Sequence, residues 1–149
     1  MRGAVVIGGH VQGLGIIRML GWEGIPVLLM DTTCHNVARF SKYCTMFIKI
    51  PGGVFESEEK FCRFLKEKSQ QYDLHEWILF PTDDRTVAYL SRNKKELSDY
   101  FQIWTPSWDT VEQCYNKKLT YDLAKKIDIP MPESHLPENL SDVRAIGNR

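Results

Sequence analysis

The sequence has no excess of either charge. Nineteen basic residues cancel nineteen acidic ones, and no basic block breaks that balance, so a nucleic-acid partner, which needs a concentrated cationic face, is not expected. Long apolar runs are missing too. No stretch reaches the roughly 18 residues of a membrane span, and the apolar N-terminal run is interrupted at once by Gly8, Gly9 and His10, unlike the core of a signal peptide. No membrane partner is expected. The cysteines at 34, 44, 62 and 114 form no Cys-x-x-Cys pair; reduced thiols in a cytoplasmic protein are the expectation. Cys34, His35 and Cys44 are the one grouping that suggests a metal, and their spacing is not that of a zinc site. There is no internal repeat and no low-complexity segment. The histidines, at 10, 35, 75 and 135, are scattered and show no nucleophile–base pairing.

What is present suffices for a folded core. At 149 residues, 43% hydrophobic and 26% charged, the chain supports one domain with room for an appendage. Residues 3–8 are a short apolar run ended by glycine, as in a buried parallel strand. Residues 11–22 carry Leu14, Ile17, Met19 and Leu20 at helical spacing, closed by Gly21 or Gly24. Residues 26–31 are a second buried strand, completing a βαβ unit. Residues 44–50 read as a third strand. Ser57 then caps a helix with Glu58 and Glu59 in its first turn and Phe61, Phe64, Leu65 and Tyr72 on its inner face. Residues 77–80 are a fourth strand, followed by a helix from about Asp83 to Ser91 and a shorter one capped by Asn93. Residues 101–104 are a candidate fifth strand. Thr105-Pro106 reads as a cap and a first-turn proline, opening a helix that ends near Cys114; another starts near Asn116. The alternation predicts a Rossmann-like open parallel sheet of about five strands with helices on both faces.

Several positions could carry chemistry. Gly8-Gly9-His10-Val11-Gln12-Gly13-Leu14-Gly15 lies in a strand-to-helix turn. There, glycines let the backbone approach a ligand and the helix N-terminus favours an anion; a tight turn with close helix–sheet packing would need the same glycines. Read as Gly9-x-x-x-Gly13-x-Gly15 and combined with Asp31 at the end of the second strand, the pattern also fits a dinucleotide site, so an NAD(P)-binding oxidoreductase fragment is one alternative and a stand-alone small-ligand-binding module another. Thr82-Asp83-Asp84 follows the fourth strand, on the same sheet edge as Gly8, Gly9, His10, Gly13 and Asp31. Helix capping by Thr82 or Asp83 and ligand contact are both open for it. Lys117 and Lys118 open a helix against its dipole, at a cost of about 0.3–1 kcal/mol when exposed; an anionic partner such as a phosphate, or simple solvation, accounts for them. Tyr121 and Lys125 match Tyr-x-x-x-Lys but read as surface residues of an amphipathic helix.

The order of these segments resembles the N-terminal, pre-ATP-grasp domain of ATP-grasp carboxylate–amine ligases of the carbamoyl-phosphate-synthase-like kind. The family opens its nucleotide domain with Asp-Lys, here Asn116-Lys117, and exits through Gly-Ile-Pro-x-Pro, here Asp128-Ile129-Pro130-Met131-Pro132. The Gly8-Gly9 turn, the strand end at Asp31 and Phe80-Pro81-Thr82-Asp83-Asp84, where the family has Asp-Glu, fit the same order, so the resemblance covers most of residues 3–134. It implies a pre-ATP-grasp domain over 1–114 and the opening helix and linker of a truncated ATP-grasp domain over 115–149. The intact enzyme would use ATP and Mg²⁺ to phosphorylate a small-molecule carboxylate, which an amine then attacks. Gly8, Gly9, His10, Gly13, Asp31, Thr82, Asp83 and Asp84 would line the substrate cleft and Lys117 would meet the nucleotide. The missing ATP-grasp lobes would carry the groups that hold ATP and metal, so these 149 residues are expected to be inactive and to bind no cofactor alone. Residues from about Pro130 on should pack poorly or borrow contacts from a neighbouring chain. Leu119, Leu123 and Ile127 should pack on the first domain or in a homodimer.

Overall fold

The computed structural model describes residues 2–133, 135, 137 and 139–147. The chain divides into two compact units, Met1–Val111 and Glu112–Arg149, and each is described by itself.

The first unit is built on a five-stranded, all-parallel sheet of β1 (Ala4–Ile7), β2 (Val27–Asp31), β3 (Cys44–Lys49), β4 (Trp77–Pro81) and β5 (Phe101–Gln102), in the order β3-β2-β1-β4-β5. Every residue of β1 and β2 is buried, which is why both read as unbroken apolar runs rather than alternating ones. Side chains still alternate by face. Ala4, Val6, Val27 and Leu29 pack with Ile17 of α1 (Val11–Trp22) and with Ala38 of a short 3₁₀ turn. Val5, Ile7, Leu28, Met30 and Leu79 pack on the other face. They meet Phe61 and Leu65 of α2 (Glu58–Tyr72), Leu90 of α3 (Asp84–Arg92) and Leu97 of α4 (Lys94–Leu97). The expected α/β class and two-faced helix cover are therefore present.

Local chemistry explains the ends of these elements. Helix α1 runs through Gly21 and closes at Gly24, whose φ of +75° suits glycine. Gly24 N–H donates to the Gly21 carbonyl and Ile25 N–H to that of Leu20, both at 3.1 Å. Ser57 caps α2 by accepting the Lys60 N–H at 3.2 Å, as expected.

Three readings need correction. Tyr72 does not line the inner face of α2: it is 37% exposed, because it is the last helical residue and the chain turns away at Asp73, where φ is +52°. Strand β5 is two residues rather than four, pairing only at Trp77↔Phe101 and Ile78↔Gln102. Ile78 and Thr82 donate their N–H groups to Gly3 and Ile7 on the β1 side, so the alternate position, Pro81, faces β5 and has no N–H to extend the ladder. Thr105-Pro106 does not open the next helix. The Thr105 carbonyl instead accepts Lys94 Nζ at 2.8 Å, and α5 (Trp108–Tyr115) starts from Ser107, whose carbonyl accepts the N–H groups of Thr110 and Val111.

The division between the units falls inside α5, which carries the chain into the second. There α6 (Lys117–Lys126) starts from Asn116, whose side chain accepts the Lys118 N–H at 3.0 Å. Its exit turns at Asp128, φ +58°, the position at which the resembled family has glycine, and Ile129 N–H returns to the Ala124 carbonyl at 2.9 Å. Helix α7 (Leu140–Gly147) stands where the composition reads in part as linker, and Asn139 caps it by accepting from Ser141 and Asp142. The linker reading at 134, 136 and 138 lies outside the described residues.

Candidate functional site

Beyond β1 the chain passes to α1 on one face of the sheet, and beyond β4 to α3 on the other. The two strands are neighbours, so their carboxyl ends form the switch point at which open α/β sheets leave a crevice. A cavity of about 550 Å³ lies there, lined by Ile7, Gly8, His10, Asp31, Thr32, Ile50, Phe55, Thr82, Asp83, Asp84 and Arg85. Six of the nine positions singled out in the sequence (Gly8, His10, Asp31, Thr82, Asp83 and Asp84) thus share one cavity.

Glycine is required on its floor. Gly8 has φ +103°, and a Cβ there would lie 2.1 Å from Thr82 Oγ1. That hydroxyl donates to the Ile7 carbonyl at 2.8 Å, tying the ends of β1 and β4 together. Gly9 and Gly13 support the cavity from behind and do not line it. A Cβ on Gly13 would come within 2.1 Å of the Gly8 carbonyl oxygen, so α1 presses directly on the turn. A Cβ on Gly9 would meet Asn36 Oδ1 at 2.3 Å.

The carboxylates differ in availability. Asp31 is buried, and its Oδ2 accepts the Gly9 N–H at 2.6 Å while Oδ1 accepts the Thr33 N–H at 2.9 Å. An acid that reads a dinucleotide ribose needs those oxygens free, which weighs against the oxidoreductase alternative. Asp83 caps α3, accepting the Thr86 N–H at 2.9 Å and the Thr86 hydroxyl at 2.5 Å; the capping reading of this segment therefore holds for Asp83, while Thr82 spends its hydroxyl on Ile7. Asp84 and His10 are exposed on the lining. Among the described residues no group of three or more His, Cys, Asp or Glu side chains gathers to hold a metal ion. The Mg²⁺ implied for the intact enzyme is not fitted by the residues described.

Phe55 and Arg85 were not singled out in the sequence. The Arg85 guanidinium sits 4.3 Å from the centre of the Phe55 ring. Phe55 is itself fixed, 5.2 Å from the Phe61 ring that belongs to the core. The one available signal was Arg85 in the first turn of a helix, against the dipole. Its pairing with a ring thirty positions earlier has no signature in sequence spacing. Lys117, by contrast, is the first residue of α6 in the second unit.

This fold is that of the N-terminal domain of ATP-grasp ligases. Among solved structures the chain is similar to an L-amino acid ligase from Bacillus licheniformis, with a TM-score of 0.72 and 14% identity over 95% of this chain and 34% of the other. It is also similar to N5-carboxyaminoimidazole ribonucleotide synthetase from Thermotoga maritima, with a TM-score of 0.60 and 24% identity over 97% of this chain and 36% of that one. No family model and no curated protein matches. At such identities the likeness establishes the fold, and the chain spans about a third of the length of either structure. Among the described residues no helix is long and apolar enough to cross a membrane.

Proposed function

We propose that this chain is the substrate-cleft domain of an ATP-dependent ligase that joins a carboxylate to an amine through an acyl phosphate. The observation that carries the proposal is the gathering of Gly8, His10, Asp31, Thr82, Asp83 and Asp84 on one cavity at the β1–β4 switch point of a fold shared with a ligase and a synthetase. In the intact enzyme Mg-ATP, held by residues outside those described, would supply the phosphoryl group that activates the carboxylate, and an amine would then displace phosphate from the acyl carbon. The part of this chain is to bind and orient the substrate. Thr82 and Gly8 hold the floor of the crevice rigid, Asp31 fixes the turn above it, and the apolar side chains of Ile7, Ile50 and Phe55 exclude water from one wall. In this proposal Lys117, at the exposed first turn of α6, meets a nucleotide phosphate once the nucleotide lobes are present. The compartment is the cytoplasm, and the partners are the carboxylate, those lobes and, where α6 lacks them, a second copy of the chain.

Titrating the ¹⁵N-labelled 149-residue chain with acetate and, separately, with Mg-ATP tests the proposal. Acetate should shift the amides of Gly8 and Thr82 saturably. Mg-ATP should bind weakly and should not be hydrolysed, because in-line phosphoryl transfer needs positioned lysine, metal and adenine contacts. A micromolar calorimetric constant for Mg-ATP, or turnover by these residues alone, would overturn it.

A further inference from the structure

We infer that the cavity selects a zwitterionic substrate of the amino-acid class, with Arg85 receiving the carboxylate and Asp84 the ammonium group. The inference rests on the carboxylate-binding reading above and narrows it.

It starts from which charges on the lining are already used. Asp31 is held by the N–H groups of Gly9 and Thr33, and Asp83 by the N–H and hydroxyl of Thr86. Two charged side chains remain. Asp84 and Arg85 are adjacent, exposed and on the same cavity. Among the described residues neither side chain has a hydrogen bond or an ion pair, and the two do not pair with each other. Nearby charges that might have claimed them are engaged elsewhere: Glu56 with Lys60, and Glu58 with Arg92.

Arg85 is nonetheless not loose. Its guanidinium lies over Phe55 at 4.3 Å, and the Phe55 carbonyl accepts the Tyr89 hydroxyl at 3.4 Å. A guanidinium held over a fixed ring, with no hydrogen bond to its N–H groups, offers a fork of donors that matches a planar, two-oxygen acceptor. Holding it there also means that less rotamer freedom is lost when an anion binds.

Net charge then separates the candidate anions. Asp31, Asp83 and Asp84 set three carboxylates against the one guanidinium on the lining. A phosphate dianion drawn to Arg85 meets that surplus and is repelled. A molecule with a carboxylate at one end and an ammonium at the other satisfies Arg85 and relieves the surplus at Asp84. The resembled family has Asp-Glu at this segment, whereas here Asp83-Asp84 is followed by the cation.

The test is a ¹H–¹⁵N titration of the full 149-residue chain with L-alanine, acetate, methylammonium and inorganic phosphate, following the Gly8 and Thr82 amides and the Arg85 Nε–H. L-alanine should bind more tightly than any of the other three. R85Q should weaken L-alanine and acetate about tenfold, the scale of one charge-assisted bidentate contact, while D84N should weaken L-alanine but not acetate, which loses a repelling charge and should bind as well or better. The spectrum of each variant reports whether it is folded. Wild-type titration by R85Q, or phosphate binding tighter than L-alanine, would overturn the inference. Acetate binding as tightly as L-alanine would overturn the zwitterion assignment and leave the ligase proposal standing. Silence of the cavity resonances to both carboxylates would sink the two together.

Discussion

Asp31 at the end of β2 accepts the backbone N–H of Gly9 at 2.6 Å, so the acid that a dinucleotide-binding enzyme would turn toward a ribose is here a brace for the β1–α1 turn. Its other oxygen takes the Thr33 N–H, which makes the carboxylate a link between two loops on the cavity rim. Asp31→Ala should leave two N–H groups without their acceptor, at about 1–3 kcal/mol for each that stays buried. Asp31→Asn keeps one acceptor oxygen and should cost less. Urea denaturation followed by circular dichroism checks the order. NADH fluorescence should be unchanged on adding the wild-type chain, and enhancement would revive the oxidoreductase reading.

The glycines of the same turn separate into those that close packing requires and one that it does not. Gly13→Ala would drive a methyl to 2.1 Å from the Gly8 carbonyl oxygen, and backbone cannot give way as a flexible side chain does. The expected loss is about 1–3 kcal/mol, the scale of overpacking. Gly15 stands two residues later in α1 with nothing within 4 Å of an added Cβ, so Gly15→Ala should stabilise by about 0.5–1 kcal/mol through helix propensity. Thermal melts of the two variants should move in opposite directions. Equal shifts of one sign would show that the turn is not packed as described.

How much of this was legible follows from the range of each signal. Buried parallel strands announce themselves locally, as at Ala4–Ile7 and Val27–Asp31, where every side chain is covered. The switch-point rule then brings Gly8 and Thr82 together without knowledge of any contact. What the sequence hid was set by tertiary partners. The length of β5 depends on which side of β4 lacks an N–H at Pro81. The start of α5 depends on Lys94 claiming the Thr105 carbonyl. Helix α7 did carry signals, a cap at Asn139 and apolar Leu140, Val143 and Ile146, but they lie among prolines that read as linker. The Arg85–Phe55 contact joins the first turn of α3 to a 3₁₀ turn over Val54–Glu56, and no periodicity encodes it.

Cys62 gives the chain a measurable alkaline limit. It lies on α2, 2% exposed, in the larger core cluster. Burial pushes its thiol from the ordinary 9.0 up to about 11, the negative charges of Glu96 and Glu58 add to the effect, and Lys66 opposes it. The folded state therefore holds this proton through a range in which the unfolded chain has released it. Below pH 9 both states are protonated and the thiol contributes no pH dependence. Between pH 9 and 11 the unfolded state binds fewer protons, so stability falls as pH rises. Lys66, raised by its bond to Glu96, slopes the same way, so the wild-type curve alone does not isolate Cys62. Comparison with Cys62→Ala does: the variant should be less stable at neutral pH, because a buried side chain is cut back, but its stability should decline less steeply from pH 9 to 10.5. Parallel curves for the two proteins would assign the slope to Lys66 and the other groups, and rapid alkylation of native Cys62 at pH 8, ahead of exposed Cys114, would show that its burial does not hold in solution.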